Sequence, residues 1–193
     1  MRLCVFCGSK NGARPEYGAA AKTVGRLLAE RGVGLVYGGG HVGLMGVLAD
    51  ATLAAGGQVF GVIPRSMVES ELAHLQLTQL DIVDTMHQRK ARMAELCDAF
   101  LALPGGYGTM EELFEVVTWA QIRLHAKPIG LLNVAGYYDG LLKWIEHAIS
   151  DGFIAAKHLA LIRVGVEPGE LIDKLLAEPG ATVTATPGPE GPG

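Results

Sequence analysis

The sequence contains few cysteines, no long hydrophobic run and no excess of positive charge. Three cysteines among 193 residues are too few for a scaffold held together by disulfides. No apolar run approaches the ~18 residues that a membrane-spanning helix needs, and the first residues resemble the start of a strand rather than a signal peptide. Because 16 basic residues stand against 20 acidic ones, the chain lacks the basic surface typical of nucleic-acid binding. We therefore expect a cytoplasmic protein whose partner is neither a membrane nor a nucleic acid.

The cysteines and histidines also lack the spacing of a redox or metal site. Cys4 and Cys7 form a C-x-x-C, but they fall in a predicted strand, where side chains three residues apart point to opposite faces. We interpret both, and Cys97, as small buried hydrophobic residues. The six histidines include no H-x-x-x-H. We therefore expect the protein to use no metal and no redox cofactor.

The sequence does contain a regular alternation of apolar segments and helical patterns. Runs that are apolar on both faces, separated by helices, predict a parallel sheet covered on both sides. The expected fold class is α/β, a Rossmann-like doubly wound parallel sheet with helices on both faces and ligands beyond the carboxyl ends of the strands. The predicted strands are 3–7, 34–37, 59–63, 80–83, 99–103 and 129–132, and the predicted helices are 17–31, 44–55, 85–97, 109–125, 137–151 and 168–177.

Residues 1–177 are expected to form a single domain, and residues 178–193 a tail. The last 16 residues are rich in proline and glycine, contain no aromatic residue and have little to bury. This composition predicts a disordered segment.

The most informative motif is the glycine-rich stretch at residues 104–112. It follows an apolar run typical of a buried strand and precedes a helical pattern. Glycines at three of four positions let the backbone approach a ligand without a Cβ in the way. Such a loop directs free N–H groups and the positive end of the helix dipole at one point. It predicts an anion site, most plausibly for phosphate, at Gly105, Gly106, Tyr107, Gly108 and Thr109.

A second glycine-rich loop spans residues 37–46 and again follows a strand and opens a helix. It contains G-x-G-x-x-G at Gly38, Gly40 and Gly43, a pattern that also occurs in dinucleotide sites. The next strand, however, ends in proline and arginine rather than in an acidic residue that would hold an NAD ribose. Two such loops at one edge of a sheet favour a shared nucleotide-binding crevice, with Gly39 and Gly40 among its residues.

The third element is the start of the helix over residues 85–97. Thr85 with Gln88, or Asp84 alone, is the expected N-cap. Arg89 and Lys90 follow in the first turns, where a cation opposes the helix dipole. One interpretation is a solvated basic face. Cations on a partly buried side of the helix instead require an anion, and that side is shared by Met86, Arg89, Lys90 and Met93.

Two further polar residues have a structural and a functional interpretation. Thr109 to Glu112 fits a capping box, which would explain Glu112 without any chemistry. A carboxylate beside a phosphate-binding loop also lies where a ribose would sit, and Glu111 is expected to be its exposed neighbour. Ser9, directly after the first strand, either contacts phosphate or sugar or simply forms a turn.

Together these stretches resemble the LONELY GUY (LOG) family of cytokinin riboside 5′-monophosphate phosphoribohydrolases, long described as possible lysine decarboxylases. Residues 104–112 match the family signature P-G-G-x-G-T-x-x-E. Residues 38–46, 86–90 and 136–138 are also similar to the family, and the similarity covers residues 2–155.

The resemblance implies a homodimer that cleaves the N-glycosidic bond of an AMP-like nucleotide, releasing the free base and ribose 5-phosphate. It implies Arg89 and Glu112 as the catalytic pair, and it places Met86, Lys90 and Thr109 along the nucleotide site. The region that contains Glu69 and Glu71 is the least typical, so the role of these two residues stays open. The preferred base and the separate roles of the catalytic pair stay open as well.

The residues present suit this chemistry, although two other functions remain open. Breaking a ribosyl C–N bond builds positive charge on the sugar, which a carboxylate near C1′ stabilises. The alternatives are a non-catalytic sensor of AMP and, with less support, an NADP-type oxidoreductase that uses residues 38–43. Lysine decarboxylation is rejected because no lysine stands in a context that suggests a pyridoxal Schiff base.

Overall fold

A computed structural model describes residues 1–68 and 73–177 of the chain. Its strands are β1 (Arg2–Phe6), β2 (Gly34–Tyr37), β3 (Val59–Pro64), β4 (Gln79–Val83), β5 (Ala99–Ala102), β6 (Ile129–Leu132) and β7 (Ile162–Gly165). They form one sheet in the order β4-β3-β2-β1-β5-β6-β7, and every neighbouring pair is parallel. The helices are α1 (Pro15–Glu30), α2 (Gly43–Ala54), α3 (Met86–Leu96), α4 (Tyr107–Gln121), α5 (Asp139–Ser150) and α6 (Pro168–Ala177).

The helices cover both faces of the sheet. Buried residues of α1, α2 and α6 pack in one hydrophobic layer, and those of α3 and α4, with partly buried residues of α5, pack in the other. The expected Rossmann-like doubly wound α/β fold is therefore confirmed. The central strands are apolar on both faces because each face meets a helical layer.

Side chains of β1 alternate between the two layers. Leu3 and Val5 belong to the layer of α1, α2 and α6, whereas Cys4 and Phe6 belong to the other. Cys7, just after the strand, packs on the same side as Val5. Cys4 and Cys7 thus lie on opposite faces, as the sequence predicts. Both are buried and free, as is Cys97.

The strand order defines where the sheet opens. From β1 the chain winds outward through β2 and β3 to β4, and then returns to place β5 on the other side of β1. At their carboxyl ends Phe6 of β1 pairs with Ala102 of β5. The loops that follow these two strands diverge to opposite faces, and ligands of doubly wound sheets bind in the crevice that forms at such a point.

The structure contains one strand that was not predicted, and several helices begin or end at residues other than those predicted. β7 is an edge strand with β6 as its neighbour, and its residues are only partly buried, which explains why its apolar pattern is weak. Helix α4 begins two residues earlier and ends four residues earlier than predicted. The predicted tail and Glu69 and Glu71 lie outside the described residues. Among the described helices, none has the length and apolarity to cross a membrane.

Candidate active site

A cavity of about 180 Å³ lies in the crevice between β1 and β5. Its walls come from the end of β1, from the loop after β2 and from the start of α4. Two charged side chains, Arg89 and Glu112, line it, and the rest of the described lining is Val5, Phe6, Cys7, Gly8, Ser9, Gly38, Met45, Gly106, Tyr107, Gly108 and Thr109.

The start of α4 forms one wall of this cavity. Gly106 is the N-cap residue and has no side chain with which to bond the first N–H groups of the helix. These donors, together with the helix dipole, favour an anion at this position. Because the helix begins at Tyr107, Thr109 lies inside its first turn and Glu112 in its second. The predicted capping box from Thr109 to Glu112 is therefore wrong, and capping does not explain Glu112.

The shape of this loop depends on Gly105. A Cβ at Gly105 would lie 2.0 Å from Oγ1 of Thr109 and 2.9 Å from the backbone nitrogen of Gly8. A Cβ at Gly106 would meet nothing within 4 Å. The first glycine is thus required by close packing inside the protein, whereas the second faces open space on the side of the cavity.

Two backbone carbonyl groups hold the side chain of Arg89, one directly after β2 and one within β3. The residue as a whole is 6% exposed; Nη2 donates to the Gly38 carbonyl oxygen at 2.8 Å and Nε donates to the Val62 carbonyl oxygen at 3.2 Å. A Cβ at Gly38 would lie 2.2 Å from Nη2, so this approach requires glycine. The predicted capping box of α3 is confirmed, with the Gln88 N–H donating to Oγ1 of Thr85 at 3.1 Å. The cap holds the first turn of the helix that carries Arg89.

Glu112 and Cys7 both line the cavity, and the charge of Glu112 acts on the thiol of Cys7. Burial raises the pKa of the Cys7 thiol far above its ordinary value, and the negative charge of Glu112 raises it further. The thiol therefore stays protonated near neutral pH and is not available as a nucleophile. Of the two side chains, only the carboxylate can act as a base or stabilise a cation.

The predicted binding residues divide into two groups in the structure. Ser9 and residues 106–109 line the cavity. Met86 does not line the cavity but contacts a residue that does, since its sulfur accepts from Nη1 of Arg89 at 3.6 Å. Gly105 lines an adjoining pocket of about 340 Å³ that shares Gly8, Ser9 and Gly106 with the cavity.

Gly39, Gly40 and Lys90 do not line the cavity. The Gly39 carbonyl oxygen accepts the His74 N–H at 3.0 Å, and Gly40 forms an isolated bridge with Ala73, so both serve to hold the segment after residue 72. Of the three glycines of the G-x-G-x-x-G pattern, Gly38 lines the cavity, whereas Gly40 and Gly43 do not. This placement weakens the dinucleotide interpretation of the G-x-G-x-x-G pattern. Lys90 instead pairs with Glu111 and Glu115 of α4.

Two tyrosines to which the sequence analysis assigned no role hold the backbone of the glycine-rich loop by hydrogen bonds. The hydroxyl of Tyr138 donates to the Leu103 carbonyl oxygen at 2.6 Å, and that of Tyr137 donates to the Gly105 carbonyl oxygen at 2.5 Å. The carbonyl oxygen of Pro104 accepts the Gly8 N–H at 3.0 Å. Three consecutive carbonyl groups are thus held in place at the start of the loop. A tyrosine pair after β6 carries no sequence signal for such a contact, because the partners are more than 30 residues away.

One cluster of possible metal ligands occurs in the described residues. Ligand atoms of His41, Asp50 and His74 lie within 4.8 Å of one another. However, Nδ1 of His74 accepts the Gln76 N–H at 3.3 Å, so Nε2 carries the proton and donates to Oδ1 of Asp50 at 2.9 Å. Both ring nitrogens of the buried His74 therefore have hydrogen-bond partners. In this tautomer Nε2 carries a proton and has no lone pair with which to bind a metal.

A pyridoxal phosphate group does not fit the cavity. Its chemistry requires a lysine amine that forms a Schiff base, and the described residues that line the cavity include no lysine.

Comparison with known sequences gives consistent matches. The model of a family described as possible lysine decarboxylase matches residues 45–175. A probable cytokinin riboside 5′-monophosphate phosphoribohydrolase of Oryza sativa subsp. japonica is 51% identical over 174 residues, which are 90% of this chain and 71% of that protein. A cytokinin riboside 5′-monophosphate phosphoribohydrolase of Arabidopsis thaliana is 49% identical over 90% of this chain and 80% of its own length.

Solved structures with the same fold are more distant in sequence. A molybdenum cofactor binding protein from Rippkaea orientalis superposes with a TM-score of 0.69 at 21% identity, over 91% of this chain and 95% of its own. DNA processing protein A from Helicobacter pylori gives a TM-score of 0.60 at 14% identity, over 93% and 81%. At these identities the likeness concerns the fold alone.

Proposed function

The chain belongs to the family described as possible lysine decarboxylase, and we propose that within this family it is a nucleoside 5′-monophosphate phosphoribohydrolase. Its substrates are adenosine 5′-monophosphates, with or without an N6 substituent, and its products are the free base and ribose 5-phosphate. The names of the plant relatives support this activity. No metal or redox cofactor takes part in the proposed reaction.

One structural observation carries the proposal. A helix N-terminus suited to phosphate, a fixed guanidinium and a carboxylate line the same small cavity. A 5′-phosphate bound at the start of α4 would direct the ribose toward Glu112, which lies one turn further along the helix. This anchoring holds C1′ beside the carboxylate and lowers the entropy cost of the reaction.

The proposed reaction needs only these groups and water. The C1′–N bond breaks, and its electron pair leaves with the base while positive charge builds on the ribose. Glu112 stabilises this charge and accepts a proton from the water whose oxygen bonds to C1′. That proton passes to the base nitrogen, and the remaining hydroxyl becomes part of ribose 5-phosphate.

Arg89 supplies a fixed positive charge in this mechanism. Because two backbone carbonyl groups hold its guanidinium, it needs little reorganisation when negative charge develops on the departing base. A lysine would retain the charge but would lose the forked geometry of these two hydrogen bonds.

We also propose that the protein is a cytoplasmic homodimer. Apolar residues of α4 give no support, because Val116 is buried and Val117 and Trp119 pack against the core. Support comes instead from Trp144 of α5, which is 52% exposed and contacts Phe114 edge to face. The cytoplasmic location is supported by the three buried cysteines, none of which forms a disulfide, because thiols stay reduced in that compartment.

The proposal is tested by incubating the protein with AMP, with isopentenyladenosine 5′-monophosphate and with adenosine, and following the free base by chromatography. We expect release from the two monophosphates and little from adenosine, which lacks the phosphate anchor. The ratio of the first two rates gives the base preference. Binding of AMP without release of base from either monophosphate would contradict hydrolysis and favour a nucleotide sensor.

A further inference from the structure

The hydroxyl of Tyr137 fixes the orientation of one peptide group in the glycine-rich loop. It donates to the Gly105 carbonyl oxygen at 2.5 Å. This carbonyl group belongs to the same peptide group as the Gly106 N–H. Because the C=O and N–H of a trans peptide point in opposite directions, the bond that holds the carbonyl group also sets the direction of the N–H. The Gly106 N–H therefore points away from Tyr137.

This direction leads toward the proposed phosphate site. Gly106 lines both the cavity and the adjoining pocket, and Tyr137 contributes to the wall of the adjoining pocket. An N–H that points away from Tyr137 is thus directed to the side of the cavity. Since Gly106 is the N-cap of α4, this N–H adds one donor to those that the start of the helix offers to an anion.

A peptide group between two glycines needs a contact of this kind. Neither Gly105 nor Gly106 has a Cβ that would restrict rotation about the bonds on either side of the peptide group. After such a rotation the Gly105 carbonyl oxygen would face the cavity, and its partial negative charge would repel a phosphate. The hydroxyl of Tyr137 stabilises the orientation that presents a donor instead.

The turn that carries Tyr137 is itself held in place by a buried side chain. Asn133 is 8% exposed; its Oδ1 accepts the Tyr138 N–H at 2.7 Å, and its Nδ2 donates to Oδ1 of Asp139 at 2.8 Å. The ring of Tyr137 packs edge to face against Tyr138, with centroids 4.9 Å apart, and against Tyr17, with centroids 5.5 Å apart. The hydroxyl is therefore placed by contacts that do not depend on a ligand.

Tyr138 makes a similar bond with a different consequence. Its hydroxyl donates to the Leu103 carbonyl oxygen at 2.6 Å. The peptide group that contains this carbonyl ends at Pro104, which has no N–H. Tyr138 therefore holds the loop without orienting a donor. Of these two neighbouring tyrosines, Tyr137 is the one whose bond sets the direction of an N–H.

We propose that Tyr137 is a positioning residue for the phosphate, whose hydroxyl orients the peptide group of Gly105 and Gly106 so that the Gly106 N–H donates to the 5′-phosphate. This inference rests on the proposed function, because the phosphate is that of the proposed substrate. It gives a role in substrate binding to a residue that is 32 positions from Gly105 in the sequence.

The inference predicts a loss of affinity that is confined to ligands with a phosphate. Tyr137→Phe keeps the ring and its packing and removes the hydroxyl. Loss of one neutral hydrogen bond corresponds to about a three- to tenfold change in an equilibrium constant, so the Kd values of AMP and of ribose 5-phosphate should rise by that factor. The Kd of adenosine should stay within about twofold. The KM for AMP should rise while kcat changes by less than about threefold, because substrate and transition state carry the same phosphate.

Tyr138→Phe is the matched control, since it also removes a hydroxyl that bonds to the backbone of the loop. We expect its Kd values for AMP and ribose 5-phosphate to stay within about twofold of the wild type. Its melting temperature should fall further than that of Tyr137→Phe, because Tyr138 is 2% exposed and the Leu103 carbonyl group loses a buried partner. Calorimetry with AMP, ribose 5-phosphate and adenosine, base release and thermal unfolding are measured for the wild type and both variants.

Three results would overturn the inference. One is a wild-type Kd for AMP in Tyr137→Phe. Another is an equal loss of AMP affinity in Tyr137→Phe and Tyr138→Phe, which would show that any disturbance of the loop has this effect. The third is a loss of adenosine affinity as large as that of AMP. A wild type that binds AMP but releases no base would contradict the proposed hydrolysis alone, and the three Kd values would still test the role of Tyr137.

Discussion

At the scale of single residues, Gly105 and Gly106 have different reasons to be glycine. Gly105 has no room for a Cβ, because Thr109 and the backbone of Gly8 occupy that space. Gly106 has room, but it opens the start of α4 to the cavity. From the motif alone, both glycines are predicted to belong to an anion site. The motif does not show that Gly105 is required by packing and Gly106 by access of a ligand.

This difference gives a testable pair of substitutions. Gly105→Ala should lower the free energy of unfolding by about 1–3 kcal/mol through overpacking and weaken AMP binding, because the loop must shift. Gly106→Ala should change stability by less than about 0.5 kcal/mol, since its backbone lies in the extended region and its Cβ meets no neighbour. Chemical denaturation and calorimetry measure both effects. Equal loss of stability in the two variants would contradict the packing argument.

The proposed catalytic pair, Arg89 and Glu112, could be selected from the sequence only in part. Arg89 was selected because a cation on a partly buried side of the helix needs an anion, and in the structure the carbonyl groups of Gly38 and Val62 are among its acceptors. A sequence motif does not show which backbone carbonyl groups will accept hydrogen bonds from a distant side chain. For Glu112 the capping interpretation was wrong because the helix begins two residues before Thr109. The N-cap is a glycine, which sequence rules for capping recognise poorly.

At the scale of elements, the strands of the sheet were predictable and the contacts between elements were not. Central strands between two helical layers are apolar throughout, so β2 and β6 match the predicted bounds. The partly buried edge strand β7 has no such pattern and was missed. The bridge from Lys90 to Glu111 and Glu115 depends on how two helices approach, and local periodicity carries no information about that distance.

The contact between β4 and α3 predicts a dependence of stability on pH. Nε of Arg92 donates to Oδ2 of Asp81 at 2.8 Å, and this bond, with a second from Gln79, lowers the pKa of Asp81 in the folded protein. The resulting stabilisation is present above the unfolded pKa, near 3.9, and disappears as the pH falls through the folded value.

Asp81→Asn should therefore lower the free energy of unfolding by up to about 1 kcal/mol at pH 7, a modest value because Arg92 is 39% exposed. The deficit should shrink as the pH falls below ~4, because the unfolded chain takes up a proton there that the folded carboxylate binds only at lower pH. Urea denaturation at pH 7 and pH 3 measures it, with Glu146→Gln of α5 as an exposed control. A deficit of the same size at both pH values would show that the charge of Asp81 is not responsible.

At the scale of the whole molecule, the fold explains the position of the site and leaves several large apolar side chains exposed. The winding order opens the sheet between β1 and β5, and the cavity lies there. Large apolar side chains remain exposed on the layer of α4 and α5 and in the segment that follows, among them Trp144 and Phe153. Trp144 is the residue on which the proposed dimer interface is tested.

The proposed homodimer predicts a mass in solution of twice the 20.3 kDa of the chain. Trp144→Glu replaces an exposed apolar side chain with a charge and should shift the protein toward the monomer, because burying an unpaired charge in an interface is costly. Light scattering coupled to size-exclusion chromatography measures the mass, and Lys143→Glu on the same helix is the control. A wild-type monomer would contradict the proposal, and a dimer that tolerates Trp144→Glu would place the interface elsewhere.

The central claim is that this cavity hydrolyses nucleotides through Glu112, and single-turnover kinetics test it most directly. Wild-type protein and Glu112→Gln are mixed in excess with isopentenyladenosine 5′-monophosphate, and both the free base and ribose 5-phosphate are measured over time. We predict equal amounts of the two products from the wild type and a rate at least ~100-fold lower in Glu112→Gln, with nucleotide binding retained. A Glu112→Gln protein that releases base at the wild-type rate would contradict the account.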